Sequence, residues 1–514
     1  MAKKTTSRTT TRKQTRTVQA VSASRPRSVS SKRDTKKPDR STHVVQVHTV
    51  RAKYDAAKTT LENRRHWADA DGLSAYSAAN PADRRTLRNR ARYEFANNPY
   101  GLGLLLTIAN YVIGTGPRLQ MLLGNGENGA ENGLNGFIER QFASWSKAVG
   151  LPRKLRTAEM TKVRDGEVFV LLFTNPNIPH PIKLDVRLIE GDQITSASQT
   201  DKNEASADGI VFDEYGNPRE YLMLRFHPGG DMDASTLDQE TVRVPAASMI
   251  HWFRADRPGQ YRGVPEFTAS LSLFAMLRRL TQSVITAAES AANVAIFMKT
   301  ALPPGGEAAA VPMNSTMDFD RNMAVFGPEG WEPSQIKAEQ PATTYAMGKR
   351  EFLSEIGRPW SAPYMVIACD ASGHNFSSAR MDNQVFQKTI RVEQSDFEST
   401  VIDRIFAAWM IEAIKVYEEL AGRDADLESW PHQWFWDGFE HVDPSKEANA
   451  QETRLKNNTT TLEREYAKEG KDWEVEVKQR GREISLLRKE GITSEQAAPK
   501  PSTPPKDESD DHEE

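Results

Sequence analysis

The chain has 514 residues, a net charge of -3 and one cysteine, and its ten tryptophans and twenty phenylalanines exclude a wholly disordered protein. The length is enough for two to four domains with buried cores. Because Cys369 is alone, an internal disulfide framework and a multi-cysteine zinc site are excluded. The N-terminal residues lack the apolar core of a secretory signal, and no window of about 20 residues is free of polar groups, so we expect no membrane span.

The charge is strongly segregated along the chain. Residues 1–40 contain 13 Lys/Arg and 2 Asp, residues 494–514 contain 2 Lys and 7 Asp/Glu, and the rest carries about -9. Both ends lack large apolar side chains and cannot repay the entropy of folding, which predicts a disordered basic tail and a disordered acidic tail. The acidic body is a poor signature for tight nucleic-acid binding. The basic tail leaves electrostatic docking on nucleic acid or on an acidic partner open.

The first clear elements are two helices separated by prolines. One helix is predicted from Ala82, between Pro81 and Pro99, and the next spans Leu102 to Val112 and is nearly all apolar. The first contains five arginines that are spread around it, which favours a solvated or ion-paired surface over a phosphate-facing stripe. These are Arg84, Arg85, Arg88, Arg90 and Arg92.

Residues 160–255 read as β-rich. Glu167–Phe173 is a strand candidate, and Ile182–Ile189 and Glu220–Phe226 alternate with period two. A turn from Arg257 to Pro265 follows. An uninterrupted helical pattern then runs from Glu266 to Met298 without Gly or Pro, and a helix of that length spans roughly 50 Å.

Residues 301–341 have little periodicity, which predicts an irregular excursion. A second helix is predicted from Thr343 to Ile356, with Gly348 inside it. The loop from Ala368 to Phe376 then leads to Ser377, which is the predicted N-cap of another very long helix that ends at Leu420. Charged helices are predicted over residues 445–490.

Signatures of catalysis are missing from the sequence. Gly124–Gly129 matches the spacing of a dinucleotide-binding loop but lacks a surrounding βαβ unit, and no P-loop or His-Glu-x-x-His pattern occurs. The pairs His251 with Asp256 and Asp370 with His374 lack a nucleophile or an oxyanion site, so we expect turn, cap or packing roles. The sequence therefore predicts no catalytic residue, no cofactor and no metal, and hence no enzyme.

Several motifs in a fixed order carry a family resemblance. They are Tyr54–Ala57, Leu87–Arg92 with Asn97–Pro99, Val112–Gly116, His251 with Arg257–Pro265, Phe376–Arg380 and Val442–Ala448. From Arg51 to Gly491 the chain resembles the lambda-type portal proteins of tailed bacteriophages. The most specific motifs are Arg-Pro-Gly-Gln-x-Arg-Gly-Val-Pro and Phe-Ser-Ser-Ala-Arg. The family commonly has Asn-Tyr where this chain has Asn375-Phe376, a conservative departure.

The resemblance implies an α+β fold that is mainly helical, with a β-rich wing, long stem helices, a small clip and a helical C-terminal crown. The implied organisation is a basic tail at 1–44, wing at 45–264, stem helix at 265–300, clip at 301–342, second stem helix at 343–360, tunnel loop at 361–376, long helix and wing at 377–444, crown at 445–493 and acidic tail at 494–514.

The resemblance also implies a function. It predicts a homo-oligomeric ring of about twelve subunits at one capsid vertex, the channel for DNA packaging and ejection. Implied partners are the terminase large subunit, a major capsid or scaffolding protein, a head-tail connector and double-stranded DNA without sequence specificity, with no membrane. The implied location is the virion, and the host cytoplasm during assembly. Two alternatives stay open: a basic-tailed nucleic-acid adaptor of head assembly and a metal-dependent DNA-processing enzyme.

Three groups of residues receive roles from the resemblance. The DNA-facing tunnel loop has Asp370, Ser372, Gly373, His374, Asn375 and Phe376. The stem has Arg278 and Arg279, which either form positive rings in the channel or bind carboxylates of neighbouring subunits. The joint between wing and stem has Arg257, Pro258, Gly259, Gln260, Arg262, Gly263 and Pro265.

Overall fold

The computed structural model describes residues 60–61, 64–124, 129–196, 206–230, 241–293, 297–300, 331–334, 342–373, 375–438, 444–471 and 473–491. Met1–Asp71 and Gly72–Glu514 form two separate compact units. In the first unit the described residues form turns, in which the Arg64 amide donates to the Thr60 carbonyl. The predicted basic tail and the Tyr54–Ala57 motif lie outside the described residues, as does the acidic tail.

Helices begin the second unit: α1 (Ala75–Ala78), α2 (Pro81–Asn97) and α3 (Pro99–Val112). Asn80 caps α2, because its side-chain oxygen accepts from the amides of the first turn, and Asn98 ends α2 and caps α3 in the same way. Each proline takes the first helical position, where its missing N–H costs nothing. The predicted start of α2 is confirmed, while α3 begins three residues before the predicted Leu102.

The β-rich region follows two more helices. The chain continues through β1 (Arg118–Met121), α4 (Gly129–Val149), α5 (Leu151–Asp165), β2 (Glu167–Thr174), β3 (Leu184–Glu190), β4 (Ser206–Ala207), β5 (Ile210–Phe212), β6 (Pro218–Leu224), β7 (Thr241–Pro245) and β8 (Met249–Phe253). Antiparallel sheets have the orders β3-β2-β8 and β4-β5-β6-β7. The strand candidates are confirmed within two residues at each end, but residues 160–165 belong to a helix, α5.

The long central helix is shorter than predicted at both ends. A 3-10 turn at Thr268–Ser270 precedes α6 (Leu271–Asn293), and Phe297–Thr300 is a strand, β9, which pairs with β10 (Trp331–Ser334). The prediction of helix through Met298 is therefore wrong. The periodicity of a segment cannot reveal that the segment forms a strand when the strand that pairs with it lies more than thirty residues away in the sequence. The rest of the predicted clip, residues 301–330 and 335–341, lies outside the described part of the chain.

The helix predicted from Thr343 to Ile356 is present as α7 (Ala342–Gly357), and α8 (Tyr364–Ile367) follows. The chain is then helical from Phe376 to Val416, as α9 (Phe376–Phe397), a π-helical segment at Glu398–Ile402 and α10 (Asp403–Val416). The N-cap prediction is wrong by two residues. Asn375, rather than Ser377, accepts from the Ser378 amide, at 2.9 Å, because the first helical residue is Phe376.

Strand β11 (His432–Phe435) pairs with β1, and charged helices complete the described chain: α11 (Pro444–Lys456), α12 (Leu462–Lys468) and α13 (Trp473–Lys489). The charged helices predicted near residues 445–490 are confirmed. The fold is α+β and mainly helical. Among the described helices none has an apolar stretch long enough to cross a membrane.

One large hydrophobic core joins α3, α4, α5, α9 and α10 to the β3-β2-β8 sheet. Its centre is aromatic, where the Phe142 ring contacts the rings of Trp145, Phe406 and Trp409 at centroid distances of 5.4 to 5.6 Å. A smaller core lies between the two sheets, around Phe169 and Tyr221. The buried residues of α6 are Leu271, Phe274 and Leu277, and from Arg278 to Glu289 every residue is partly or fully exposed, so the core anchors the first half of the helix and not the second.

Candidate functional site

The turn predicted as the joint is held by one buried carboxylate, Glu167, at the start of β2. The guanidinium of Arg262 donates to both Glu167 oxygens, at 2.6 and 2.8 Å, and the Gly263 amide donates at 3.0 Å. Arg88 of α2 donates to the same carboxylate at 3.0 Å, and His251 of β8 lies 3.1 Å from it. These five residues, called the Glu167 network below, tie the turn to α2 and to the sheet.

The electrostatics of the network favour a fixed charge on Glu167. Burial would raise the pKa of this carboxyl, but the positive charge of Arg262 and the hydrogen bonds from His251 and Arg262 hold it well below its ordinary value. Burial lowers the pKa of His251 more than its contact with Glu167 raises it, so the imidazole is neutral at neutral pH. Its ring is stacked between Phe169 and Phe253.

Glycine is required at the centre of the joint. A Cβ at Gly263 would overlap the carbonyl oxygen of Gly166, which itself has a positive φ of 93° and packs against the backbone of Val264. The close approach brings the Gly263 amide to Glu167. Arg257 and Gln260 form hydrogen bonds outside the Glu167 network. Arg257 donates to the Leu73 carbonyl, and Gln260 donates to the Arg262 carbonyl.

Three of the five arginines of α2 form a row on the face that packs against the sheets. Arg84, Arg88 and Arg92 are four residues apart, and the first two are almost fully buried. Arg84 pairs with Asp208, Arg88 also pairs with Asp192, and Arg92 pairs with Asp165 and Glu190. The expectation of ion pairing is confirmed, but the expectation that the arginines are spread around the helix is wrong for these three.

Glu190, Asp192 and His227 place one ligand atom each within 4.8 Å of one another, which is compatible with a metal ion. However, Arg92 already contacts both carboxylates, at 2.7 and 2.9 Å, and Arg88 contacts Asp192 at 2.7 Å. The negative charge that would attract a cation is thus compensated by two guanidinium groups. We assign these carboxylates to the same ion-pair system as the α2 arginines.

A second buried group joins α5, the start of α6 and α9. The Lys162 ammonium of α5 lies 2.6 Å from Glu266 and pairs with Glu393 of α9, while Glu159 lies one turn earlier on α5. The ammonium also lies over the rings of Trp252 and Trp360, at 4.9 and 5.4 Å. We call Lys162, Glu159, Glu266 and Glu393 the Lys162 cluster.

Three carboxyls face one ammonium in this cluster, and their pKa values respond accordingly. Burial and the nearby charge of Glu393 raise the pKa of Glu159 to about 8. Burial also raises the pKa of Glu393, although Lys162 opposes the change. For Lys162 burial acts to lower the pKa, but the surrounding carboxylates raise it above its ordinary value. The ammonium is therefore charged, and Glu159 is the carboxyl that holds a proton at neutral pH.

The loop assigned to DNA contact is exposed and shaped by its own backbone. The Ser372 amide donates to Asp370 at 2.9 Å, as expected for a loop that bonds to itself, and Cys369 has a positive φ of 50°. A Cβ at Gly373 would lie 2.6 Å from the guanidinium of Arg350, so the loop lies against α7. His374 lies outside the described residues, as does the side chain of Phe376.

The two arginines of α6 differ in their surroundings. Arg278 pairs with Glu94 of α2 within the chain, and its guanidinium lies over the Tyr93 ring at 5.2 Å. Arg279 is exposed and forms no ion pair with any described residue.

His251 and Asp256, which are close in sequence, are not brought together, and the pair of Asp370 with His374 falls partly outside the described residues. His251 contacts Glu167, whereas Asp256 accepts from Arg254 at 2.8 Å. Sequence reasoning missed Glu167, Lys162, Glu266 and Glu393. For Glu167 the signal was the spacing of Arg84, Arg88 and Arg92, which requires acidic partners if that face is buried. No sequence signal pointed to Lys162, Glu266 or Glu393.

Comparison with known proteins agrees with the motifs. The profile of the family described as phage portal protein, lambda family, matches residues 63–394. The "Probable portal protein" of Halomonas phage phiHAP-1 (isolate -/Gulf of Mexico/-/2001) is 25% identical over 431 residues, which cover 80% of this chain and 82% of that protein.

The solved structures to which this chain was found similar include chains of gene transfer agent (GTA) particles. A chain of the virion of the native particle has 12% identity and a TM-score of 0.41, over 79% of this chain and 97% of that one. A chain from the neck of the empty particle, computed with C6 symmetry, has 13% identity and a TM-score of 0.44, over 75% and 92%.

The described residues form an α+β fold with buried ion-pair clusters and an exposed loop between α8 and α9. The chain belongs to the lambda family of phage portal proteins. Proteins of this family are structural components of the capsid vertex, and that is the role of this chain.

Proposed function

We propose that the chain assembles into a homo-oligomeric ring of about twelve subunits, through which double-stranded DNA is packaged and ejected. The observation that carries the proposal is the family match over residues 63–394, which includes both joint networks, α6 and α7. The proposed location is the capsid vertex of the virion, after assembly in the host cytoplasm. The proposed partners are the terminase large subunit, a capsid or scaffolding protein and a head-tail connector.

The helices α6 and α7 support the assignment of a stem. They are antiparallel neighbours, since Ser270, directly before α6, donates to the carbonyl of Ile356 near the end of α7, and Thr281 of α6 contacts the Tyr345 hydroxyl at 3.1 Å near the start of α7. In this proposal residues 45–264 and 377–444 form the wing, the segment with β9 and β10 is the clip, and residues 445–493 form the crown.

The two buried clusters support the assignment of residues 257–265 as the joint. The Glu167 network fixes the turn to the sheet, and the Lys162 cluster fixes Glu266, directly after the turn, to α5 and α9. A stem held by multiple buried ion pairs keeps its angle to the wing, because breaking one such pair leaves an uncompensated charge. This rigidity suits a wall that must keep its diameter while DNA moves.

The pairing of charged residues supports a channel in which DNA slides and is not held in place. Phosphate contacts from fixed cations would hold DNA in place, and most arginines near the joint are paired with carboxylates within the chain. The loop with Asp370, Ser372, Gly373, His374, Asn375 and Phe376 is the proposed contact with DNA. None of these residues is a lysine or an arginine.

Negative-stain imaging of the purified protein tests the proposal. We expect ring-shaped particles with a central hole. Particles that remain monomeric at every protein concentration would contradict it. If the monomer instead binds DNA through residues 1–44 alone, the adaptor alternative is supported.

A further inference from the structure

A cleft of about 700 Å³ lies between α4, the N-terminal end of α5, the β1–β11 pair and the start of α13. We call it the basic cleft, because six of its lining residues are cationic. They are Arg118, Arg140, Lys147, Arg153, Arg156 and Lys471. Only two acidic side chains, Glu139 and Glu476, also line it. None of these residues takes part in the joint, the stem or the loop described above.

Two of these six cations have ion-pair partners, since Arg118 pairs with Asp437 and Lys471 with Glu469, whereas the other four have none among the described residues. Arg140, Lys147 and Arg153 are exposed and form no ion pair with any residue that the structure describes. Arg156 donates to the Gly114 carbonyl at 2.5 Å rather than to a carboxylate. On a body whose net charge is negative, such a concentration of unpaired cations attracts an anionic ligand.

The backbone and the apolar wall add to this preference. Gly150 is the N-cap of α5 and offers no side-chain cap, and Gly150, Pro152 and Arg153 line the cleft, so the positive end of the helix dipole lies at its wall. Leu119, Phe142 and Phe435 provide apolar surface between the cations. The combination fits a peptide that has both carboxylates and small apolar residues better than it fits an isolated phosphate.

We propose that the acidic C-terminal segment of this chain, residues 494–514, binds in the basic cleft. The segment has seven carboxylates and two lysines, and its first half contains alanines and prolines suited to the apolar wall. Val475 and Glu476, at the start of α13, line the cleft. This interaction is independent of the proposed channel function.

The length of the chain permits the contact within one subunit. Helix α13 has 17 residues and leads away from the cleft over roughly 25 Å. From Gly491 to Asp507 the chain has 16 further residues, which reach up to roughly 50 Å when extended. The carboxylates near the C-terminus can therefore return to the cleft from which α13 departs.

The test uses full-length protein and a fluorescent peptide with the sequence of residues 494–514. In one variant the tail is neutralised by Asp507→Asn, Glu508→Gln, Asp510→Asn, Asp511→Asn, Glu513→Gln and Glu514→Gln. We expect fluorescence anisotropy to show that this variant binds the peptide, with an affinity that falls as salt is added. The native protein should bind the peptide more weakly, because its own tail occupies the cleft at a high effective concentration.

Charge reversal in the cleft identifies the site. Added to the neutralised-tail variant, Arg140→Glu, Lys147→Glu and Arg153→Glu should weaken peptide binding roughly tenfold or more. The matched control reverses three exposed cations elsewhere, Arg85→Glu, Arg90→Glu and Arg187→Glu, and should leave the affinity unchanged. Circular dichroism checks that both triple variants are folded.

Absence of peptide binding, or an equal loss in both triple variants, would overturn the proposal. So would duplex DNA that displaces the peptide and binds the cleft more tightly, which would assign the cleft to nucleic acid.

Discussion

At the scale of single residues, Glu167 shows how a buried charge can fix a joint. It accepts hydrogen bonds from Arg262, Arg88 and the Gly263 amide, and His251 lies within hydrogen-bonding distance. Arg88 lies on α2 and His251 on β8, whereas Arg262 and Gly263 belong to the turn itself. The carboxylate therefore connects three segments of the chain. The contribution of this network to stability is best seen when one member is removed.

Arg262→Met should destabilise the fold by about 3–5 kcal/mol, because Glu167 is left charged and buried without its main partner. Urea unfolding followed by tryptophan fluorescence measures this change. The double variant Arg262→Met with Glu167→Gln should be less destabilised than the single variant, because the uncompensated charge is gone. Arg257→Met, at an exposed position of the same turn, should change the stability little. Equal losses at both arginines would contradict the role of the network.

The Lys162 cluster predicts a pH dependence. Burial and Glu393 raise the pKa of Glu159 from 4.5 to about 8. Between these two pH values the folded protein keeps this carboxyl protonated, whereas the unfolded chain releases the proton. The contribution of this group to stability is complete below pH 4.5 and is lost as the pH rises through about 8. Glu159→Gln should therefore make the free energy of unfolding decline less over this range. Urea unfolding at several pH values checks this, with the exposed Glu351→Gln as control, and an unchanged slope would refute it.

At the scale of elements, helical periodicity was a good guide to interiors and a poor guide to ends. The interiors of α6, α7 and α9 lie where the pattern predicts them. Their ends depend on caps such as Asn375 and on the β9–β10 pairing, which periodicity does not report. The Arg84, Arg88 and Arg92 row shows the same limit, since its burial depends on sheets that come later in the chain.

A helix-interior glycine gives a test of α7. A Cβ at Gly348 would lie 3.7 Å from the Leu280 side chain, an ordinary contact distance, so Gly348→Ala should stabilise the fold by about 0.5–1 kcal/mol. At the end of the same helix Gly357→Ala should destabilise it, because the added Cβ would overlap the Ala362 carbonyl oxygen. Thermal unfolding compares the two. A loss of stability at Gly348 would indicate that α7 packs more tightly against α6 than the contact distance implies.

At the scale of the whole molecule, assembly requires surfaces that are incomplete in one subunit. Arg279 on α6 and Glu351 on α7 are exposed, and neither has an ion-pair partner in the described part of the chain. Opposite charges on the two helices of one stem suit a head-to-tail contact between neighbouring stems, since each subunit then presents both halves of the pair.

Arg279→Glu should raise the protein concentration at which rings form, and Glu351→Lys in the same chain should restore assembly if these residues meet. Analytical ultracentrifugation measures the assembly. Arg85→Glu, an exposed position on α2, is the control. An unchanged concentration dependence would remove Arg279 from the interface and favour a position on the channel wall.

The loop makes a separate prediction. Replacement of residues Asp370–Asn375 by a Gly/Ser linker should leave ring assembly intact, because the Asp370–Ser372 contact lies within the loop. DNA packaging or retention should be impaired. Imaging and a packaging assay separate the two effects. If rings fail to form, the loop is a structural element rather than a contact with DNA.

The sequence by itself determined the family, the order of the elements and the segregation of charge, because motifs, periodicity and composition are local properties of the chain. The tertiary structure decided which charges are buried. Glu167 and Lys162 look like ordinary polar residues in the sequence, and only the packing of α2, α5, α6 and α9 around the sheet brings their partners together. A buried ion pair is a property of two distant segments at once, and no local pattern encodes it.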